Sequence, residues 1–139
     1  MDNVLIRKAV KTDYSDMINL EEVKELKLNS VSSNVVIGKL VNNAYVSSSL
    51  GALNIDSVSD AFSTIDITVD SGEVDCKVPA VPFKIYVNET SSEFSYPKSV
   101  SVSTSKNFNT KIHKGYHLAN KEGKSITINS KYSNVVLKE

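Results

Sequence analysis

The chain writes nearly the same phrase twice, SNVVIGKL from Ser33 and SNVVLKE from Ser133, and an internal repeat narrows the possible folds more than composition does. Displacing the sequence against itself by eighteen residues puts Val10, Leu28 and Val46 in one column and Met17, Val35 and Leu53 in another. A three-residue insertion around Ser59 to Thr64 shifts the next copy, so that Ile67 and Val74 enter the same columns, and the closing copy supplies Ile128 and Val135. Each copy begins with two apolar residues at alternate positions: Leu26 and Leu28, Ala44 and Val46, Ile65 and Ile67, Ile126 and Ile128. A turn-forming pair follows: Ser32-Ser33, Leu50-Gly51, Ser71-Gly72, Tyr132-Ser133. A second alternating pair ends the copy: Val35 and Ile37, Leu53 and Ile55, Val74 and Cys76, Val135 and Leu137. Period two specifies strands and the intervening pair specifies a bend.

A degraded sixth copy runs through FKIYVNETSSEFSYP, with Phe83, Ile85 and Val87 as its first strand, Phe94 and Tyr96 as its second, and two extra residues in the bend. From Lys98 to Lys124 the period is lost, and the stretch reads as a strand pair with Val100, Val102 and Ile112, carrying the polar, flexible surface loop HKGYHLANKEGK. The one segment compatible with helix is DMINLEEVKEL, from Asp16 to Leu26, and the column through Met17 favours strand there as well. Copies of this length cannot bury their inward side chains alone, but stacked neighbours can. The expected fold is all-β, a single-stranded, β-helix-like β-solenoid with coils of about 18–21 residues and an irregular C-terminal third, forming one domain over residues 1–139. Equivalent residues would then lie about 4.8 Å apart. Cys76, the only cysteine, shares its column with Ile37, Ile55 and Leu137 and reads as a small apolar core filler. Asp16, Asn34, Glu73 and Asn134, interrupted by Ala52, form a bend column whose short polar side chains suit bonds to neighbouring backbone groups.

Tyr14-Ser15-Asp16-Met17 and Tyr132-Ser133-Asn134-Val135, the middle copies SLGAL and DSGEV, and FKIYVNETSSEF followed by SITINSKYSNVVL together resemble the bacterial adhesin family of β-solenoid domains. The likeness runs from about Val10 to the end of the chain and rests on a short, degenerate motif, specific for architecture rather than for activity. It implies a non-catalytic cell-envelope domain, exported behind a signal or lipoprotein peptide, with no catalytic residues to carry over. The longest apolar run near the N-terminus, Val4 to Ile6, is too short for a signal-peptide core or a membrane span. The expectation is therefore a cell-envelope or extracellular protein if an export signal has been removed, the chain then being the C-terminal part of a longer exported protein, and otherwise a cytoplasmic one.

Sixteen basic residues balance sixteen acidic ones, which removes the global field on which nucleic-acid binders rely. No nucleic-acid partner is expected. His113 and His117 have metal-ligand spacing, but no third ligand is evident and Gly115 between them argues for exposed loop histidines. Gly123-Lys124-Ser125 imitates the end of a phosphate loop, yet Leu118 stands where that loop needs glycine. Asp56, Asp60, Asp66, Asp70, Glu73 and Asp75 lack a calcium-loop order and read as a solvated face. The outward columns Lys27, Tyr45, Asp66, Thr127 and Val36, Asn54, Asp75, Val136 hold no paired acids one coil apart, as a polysaccharide-cleaving site would, and no serine has an identifiable histidine partner. Asn88-Glu89-Thr90 is formally a glycosylation sequon, without consequence in a bacterial protein. The expectation is a non-enzyme without cofactor or metal, which offers a stacked face to a protein or glycan partner. Its contact loop would comprise His113, Tyr116, His117, Lys121 and Lys124. Two alternatives are a cytosolic scaffold that assembles through its open ends and, further off, a polysaccharide-active enzyme.

Overall fold

Alternating apolar residues at a fixed spacing commit the chain to strands, and the computed structural model, which describes residues 4–13, 17–32 and 34–139 (side chains from residue 19 onward), contains no helix among them. The strands are β1 (Val4–Asp13), β2 (Met17–Val31), β3 (Asn34–Ser49), β4 (Ala52–Ile55), β5 (Thr64–Asp70), β6 (Glu73–Lys77), β7 (Phe83–Thr90), β8 (Glu93–Ser95), β9 (Val100–Asn107), β10 (Thr110–His117), β11 (Ser125–Lys131) and β12 (Asn134–Lys138). They form one 12-stranded sheet, curled into a half-barrel. The segment DMINLEEVKEL lies in β2, so the strand reading holds over the helical one wherever it is described.

Two ladders run through this sheet and share β2 and β3. One passes through β1, β2, β3, β5, β11, β7, β10 and β9, and the other through β2, β3, β4, β6, β12 and β8. In the first, Val10, Leu28, Val46, Ile67, Ile128 and Val87 are successive cross-strand partners. In the second, Val35, Leu53, Val74, Val135 and Phe94 are, with Ile37, Ile55, Cys76 and Leu137 as the next column. Val35, Leu53 and Val74 are thus direct neighbours, and all three are buried. Like side chains stacked at the inter-strand spacing exclude water from both neighbours at once, which is what makes the columns cohesive. The inserted residues after Ile55 bring Phe62 into the interior, where its ring meets Phe83 edge-on at 5.5 Å. Cys76 is fully buried, and desolvation first, with the charge of Asp75 second, pushes its thiol up to about 12.

Four expectations are corrected. Met17 pairs with Asn34, not Val35, whose partner is Ile18; the offset there is one residue short until a bulge between Val23 and Glu25 restores it. Asp16, expected in the bend column, lies outside the described residues, as do Tyr14 and Ser15. The sixth copy has no extra residues in its bend: Ile85 and Val87 pair with Ile126 and Ile128, and Phe94 pairs with Val135, at unchanged spacing. The copies do not stack in chain order, because the closing copy slides between two earlier ones, β11 between β5 and β7 and β12 between β6 and β8. The C-terminal third is more regular than expected: β9 and β10 are the strand pair read there, an antiparallel hairpin with an unbroken register of eight pairs, and the loop begins only after His117.

The bends explain the turn-forming pairs. Ser32, Leu50, Ser71, Tyr132 and Ser91 all have positive φ, between 48° and 57°; the first four donate their N–H to a carbonyl of the neighbouring copy, and Ser91 donates to Asn109 in the turn of the β9–β10 hairpin. The second residue of the pair must be small for another reason. A Cβ on Gly72 would stand 2.2 Å from the Gly51 carbonyl oxygen. Where φ is ordinary, replacing glycine by alanine gains about 0.4–1 kcal/mol through the unfolded chain; here the contact reverses the sign. Gly72→Ala is expected to lower the urea midpoint, and an unchanged or raised midpoint would refute this account of the bend. Cys76 is expected to resist an aromatic disulfide reagent at neutral pH in the folded protein and to react at once in denaturant.

Candidate functional site

The inward columns of the first ladder change character at the hairpin. Leu28, Val46, Ile67, Ile128 and Val87 are followed by His113 on β10 and Thr104 on β9. The neighbouring column, Ser30, Ser48, Val69, Ser130 and Glu89, is followed by Lys111 and Lys106. Glu89 is buried at 3% exposure, and its Oε2 lies 2.9 Å from His113 Nε2, while His113 Nδ1 lies 2.8 Å from the Thr104 hydroxyl. The carboxylate accepts, so Nε2 donates. The Phe94 ring packs beside His113 at 5.1 Å. A buried carboxylate without a partner would be costly, and this line of hydrogen bonds satisfies it.

His117, fully buried, stacks on Phe83 with ring centroids 4.6 Å apart. Its Nδ1 donates to the Val81 carbonyl at 2.8 Å, and its Nε2 meets Glu139 Oε2 at 3.2 Å. The histidines are therefore inward strand residues, which corrects the expectation of exposed loop positions. Gly115 lies between them because a side chain there would collide with the Ser101 carbonyl, 1.8 Å from the position of a Cβ, not because the chain turns.

Tyr116 points to the opposite, outer face. There a groove of about 470 Å³ runs over β10, β7 and β11, lined by Lys84, Tyr86, Lys114, Tyr116, Asn120 and Thr127 among others. Lys114 Nζ stands over the Tyr86 ring, 5.7 Å from its centroid, and Lys84 pairs with Glu122 from the loop. Lys124 is structural: its Nζ donates to the Phe62 carbonyl at 2.9 Å and sits over that ring. Lys121 is exposed in the loop. Of the five residues expected to form one contact surface, the structure leaves Tyr116 in the groove and Lys121 beside it in sequence, and turns the two histidines and Lys124 to packing. Lys84 and Tyr86 belong to the groove but escape the sequence reading, since only the order β11, β7, β10 brings them beside Tyr116 and the outward Thr127. Among the described residues no group of three metal-ligating side chains occurs, and no helix is long and apolar enough to cross a membrane.

The chain matches no protein-family model, and neither curated proteins nor solved structures supply a match.

The hydrogen bond from His117 holds the Glu139 carboxyl below the ordinary value of 4.5. Since folding lowers this value, the contribution of Glu139 to stability is complete above the ordinary glutamate range and is lost as pH falls through the lowered one. In acid unfolding curves, the native chain should exceed Glu139→Gln in stability near neutrality and converge with it below pH 4.5; a constant gap across that range would refute the assignment.

Proposed function

We propose that this chain is a non-catalytic binding domain of the bacterial cell envelope, an adhesin-like β-solenoid whose closing copy is laid into the stack, and that it recognises glycan through the outer groove over β7, β10 and β11. The observation that carries this reading is the meeting of Tyr86, Tyr116, Lys84 and Lys114 in one groove, on strands whose register fixes their spacing. Tyrosine rings offer flat apolar area at small entropic cost, and the hydroxyl, amide and ammonium groups beside them suit a polyhydroxylated ligand. The resemblance of the repeat to envelope adhesins supports the localisation. Glu89, His113 and Thr104 line up like a base-activated hydroxyl, but in this reading they are the polar end of a core column.

Titration with neutral and with uronic-acid-containing oligosaccharides, followed by amide chemical shifts, tests the proposal. Shifts should cluster on β7, β10 and β11, and Tyr86→Ala or Tyr116→Ala should each weaken binding about tenfold, the equivalent of one lost ring contact. Binding that ignores both substitutions, or none to either class of glycan, would refute it.

A further inference from the structure

Charge is unevenly distributed along this neutral chain. Between Glu93 and Glu122 there is no acidic residue, while Lys98, Lys106, Lys111, Lys114 and Lys121 all fall in that stretch, which leaves eleven basic against sixteen acidic residues elsewhere. The cationic stretch folds as the β9–β10 hairpin and its flanks. Its register sets Lys106 directly opposite Lys111, in the column that follows Glu89. Like charges so placed repel each other. Glu89 does not neutralise them, because its Oε2 is taken by His113, and neither lysine is ion-paired among the described residues. Just beyond them Asn107 pairs with Thr110, so the hairpin closes with the two-residue turn Phe108-Asn109. Phe108 has a φ of 54° at the first position of that turn, where glycine is the usual occupant. Its ring is 90% exposed, and no other large apolar side chain among the described residues exceeds 63%. The ring strains the turn and gains almost no packing in return, which points to a contact outside the chain.

We propose that the tip of the β9–β10 hairpin docks on an anionic lipid bilayer, with Phe108 entering the headgroup region and Lys106 and Lys111 meeting lipid phosphates. An anionic surface removes the repulsion between the two lysines and gives the ring an apolar layer to enter. The order of the groups favours a bilayer over a soluble polyanion. A polyanion would use the lysines alone, whereas a bilayer presents negative charge outside and hydrocarbon beneath, and the tip presents its ring ahead of its charges. Lysine stems are long enough to hold their ammonium groups among the phosphates while the ring goes deeper. One ring and two charges make a weak, reversible contact that salt screens, each lysine adding about a fivefold gain near an anionic surface. The residues that line the outer groove are not those of the tip, so the docking does not depend on glycan recognition.

Co-sedimentation of the full chain with vesicles of phosphatidylglycerol and phosphatidylcholine tests the proposal, with pure phosphatidylcholine vesicles and soluble polyphosphate as comparison arms. Binding to the anionic vesicles is expected at millimolar lipid and low salt, and should fall as salt rises and vanish on the neutral vesicles. Phe108→Asn, Lys106→Gln and Lys111→Gln should each weaken it about fivefold. Phe108→Asn should nevertheless melt no lower than the native chain, since asparagine accepts positive φ. The chain holds no tryptophan, so Phe108→Trp puts a single fluorescent reporter at the tip. Its emission should move to shorter wavelength with anionic vesicles and stay in place with polyphosphate. No association with anionic vesicles, association indifferent to Phe108→Asn, or an emission that vesicles leave unmoved would each overturn the proposal; polyphosphate binding alongside either of the last two would assign the lysines to soluble polyanions instead.

Discussion

Everything in this molecule depends on parallel register between copies of one short pattern. A strand that slips by one residue turns its inward side chains to solvent, so the columns hold only while the seven-residue distance across each bend stays constant. It does: Val46 to Leu53, Ile67 to Val74, Ile128 to Val135 and Val87 to Phe94 all keep it. The positive-φ corner enforces the distance, for it turns the chain within two residues and passes each N–H to the next copy. Where the register does slip, at the start of β2, a bulge absorbs the difference before the following strand. Lys84 and Tyr86 of the outer groove inherit their spacing from this constraint, and the antiparallel register of β10 sets Tyr116 and Lys114 opposite them.

The same uniformity explains how the closing copy lies inside the stack. Its columns match those of its neighbours on either side, Ile67 and Val87 against Ile128, Val74 and Phe94 against Val135. Without β11 and β12, the edges of β5, β6, β7 and β8 would be unpaired and the two parts of the sheet unconnected by strand pairing. The price falls on folding, since contacts between segments some sixty residues apart must form before either neighbour is complete.

The apolar columns are legible in the sequence because period two and constant spacing are local properties. Their order in space is not, since any copy fits beside any other. The reading of residues 113–117 as loop fails for a different reason, whereas 118–124 are the loop expected. Histidine, lysine and glycine in succession suggest loop, but β10 borders the end of the core, where a histidine can be buried if the neighbouring strand supplies Glu89. That partner lies 24 residues away and is invisible to local pattern. Gly115 likewise reports a close approach to β9, not a turn. The corner conformation also escapes sequence reading, since Leu50 and Tyr132 belong to types that avoid positive φ. The groove is half legible: Tyr116 falls within the polar stretch that draws attention, whereas Tyr86 alternates with core residues and looks like any outward strand position.

The sheet ends on polar strands. An exposed edge strand invites another strand unless charge or polarity discourages it. At the hairpin end the inward columns lose their apolar character over two strands, from Val87 to His113 to Thr104 and from Glu89 to Lys111 to Lys106. A further strand added to β9 would have to bury Thr104 and Lys106 where β2, β3, β5 and β11 bury valine, isoleucine or leucine beside serine or valine. Growth from that end is therefore opposed by the residues that face the missing neighbour.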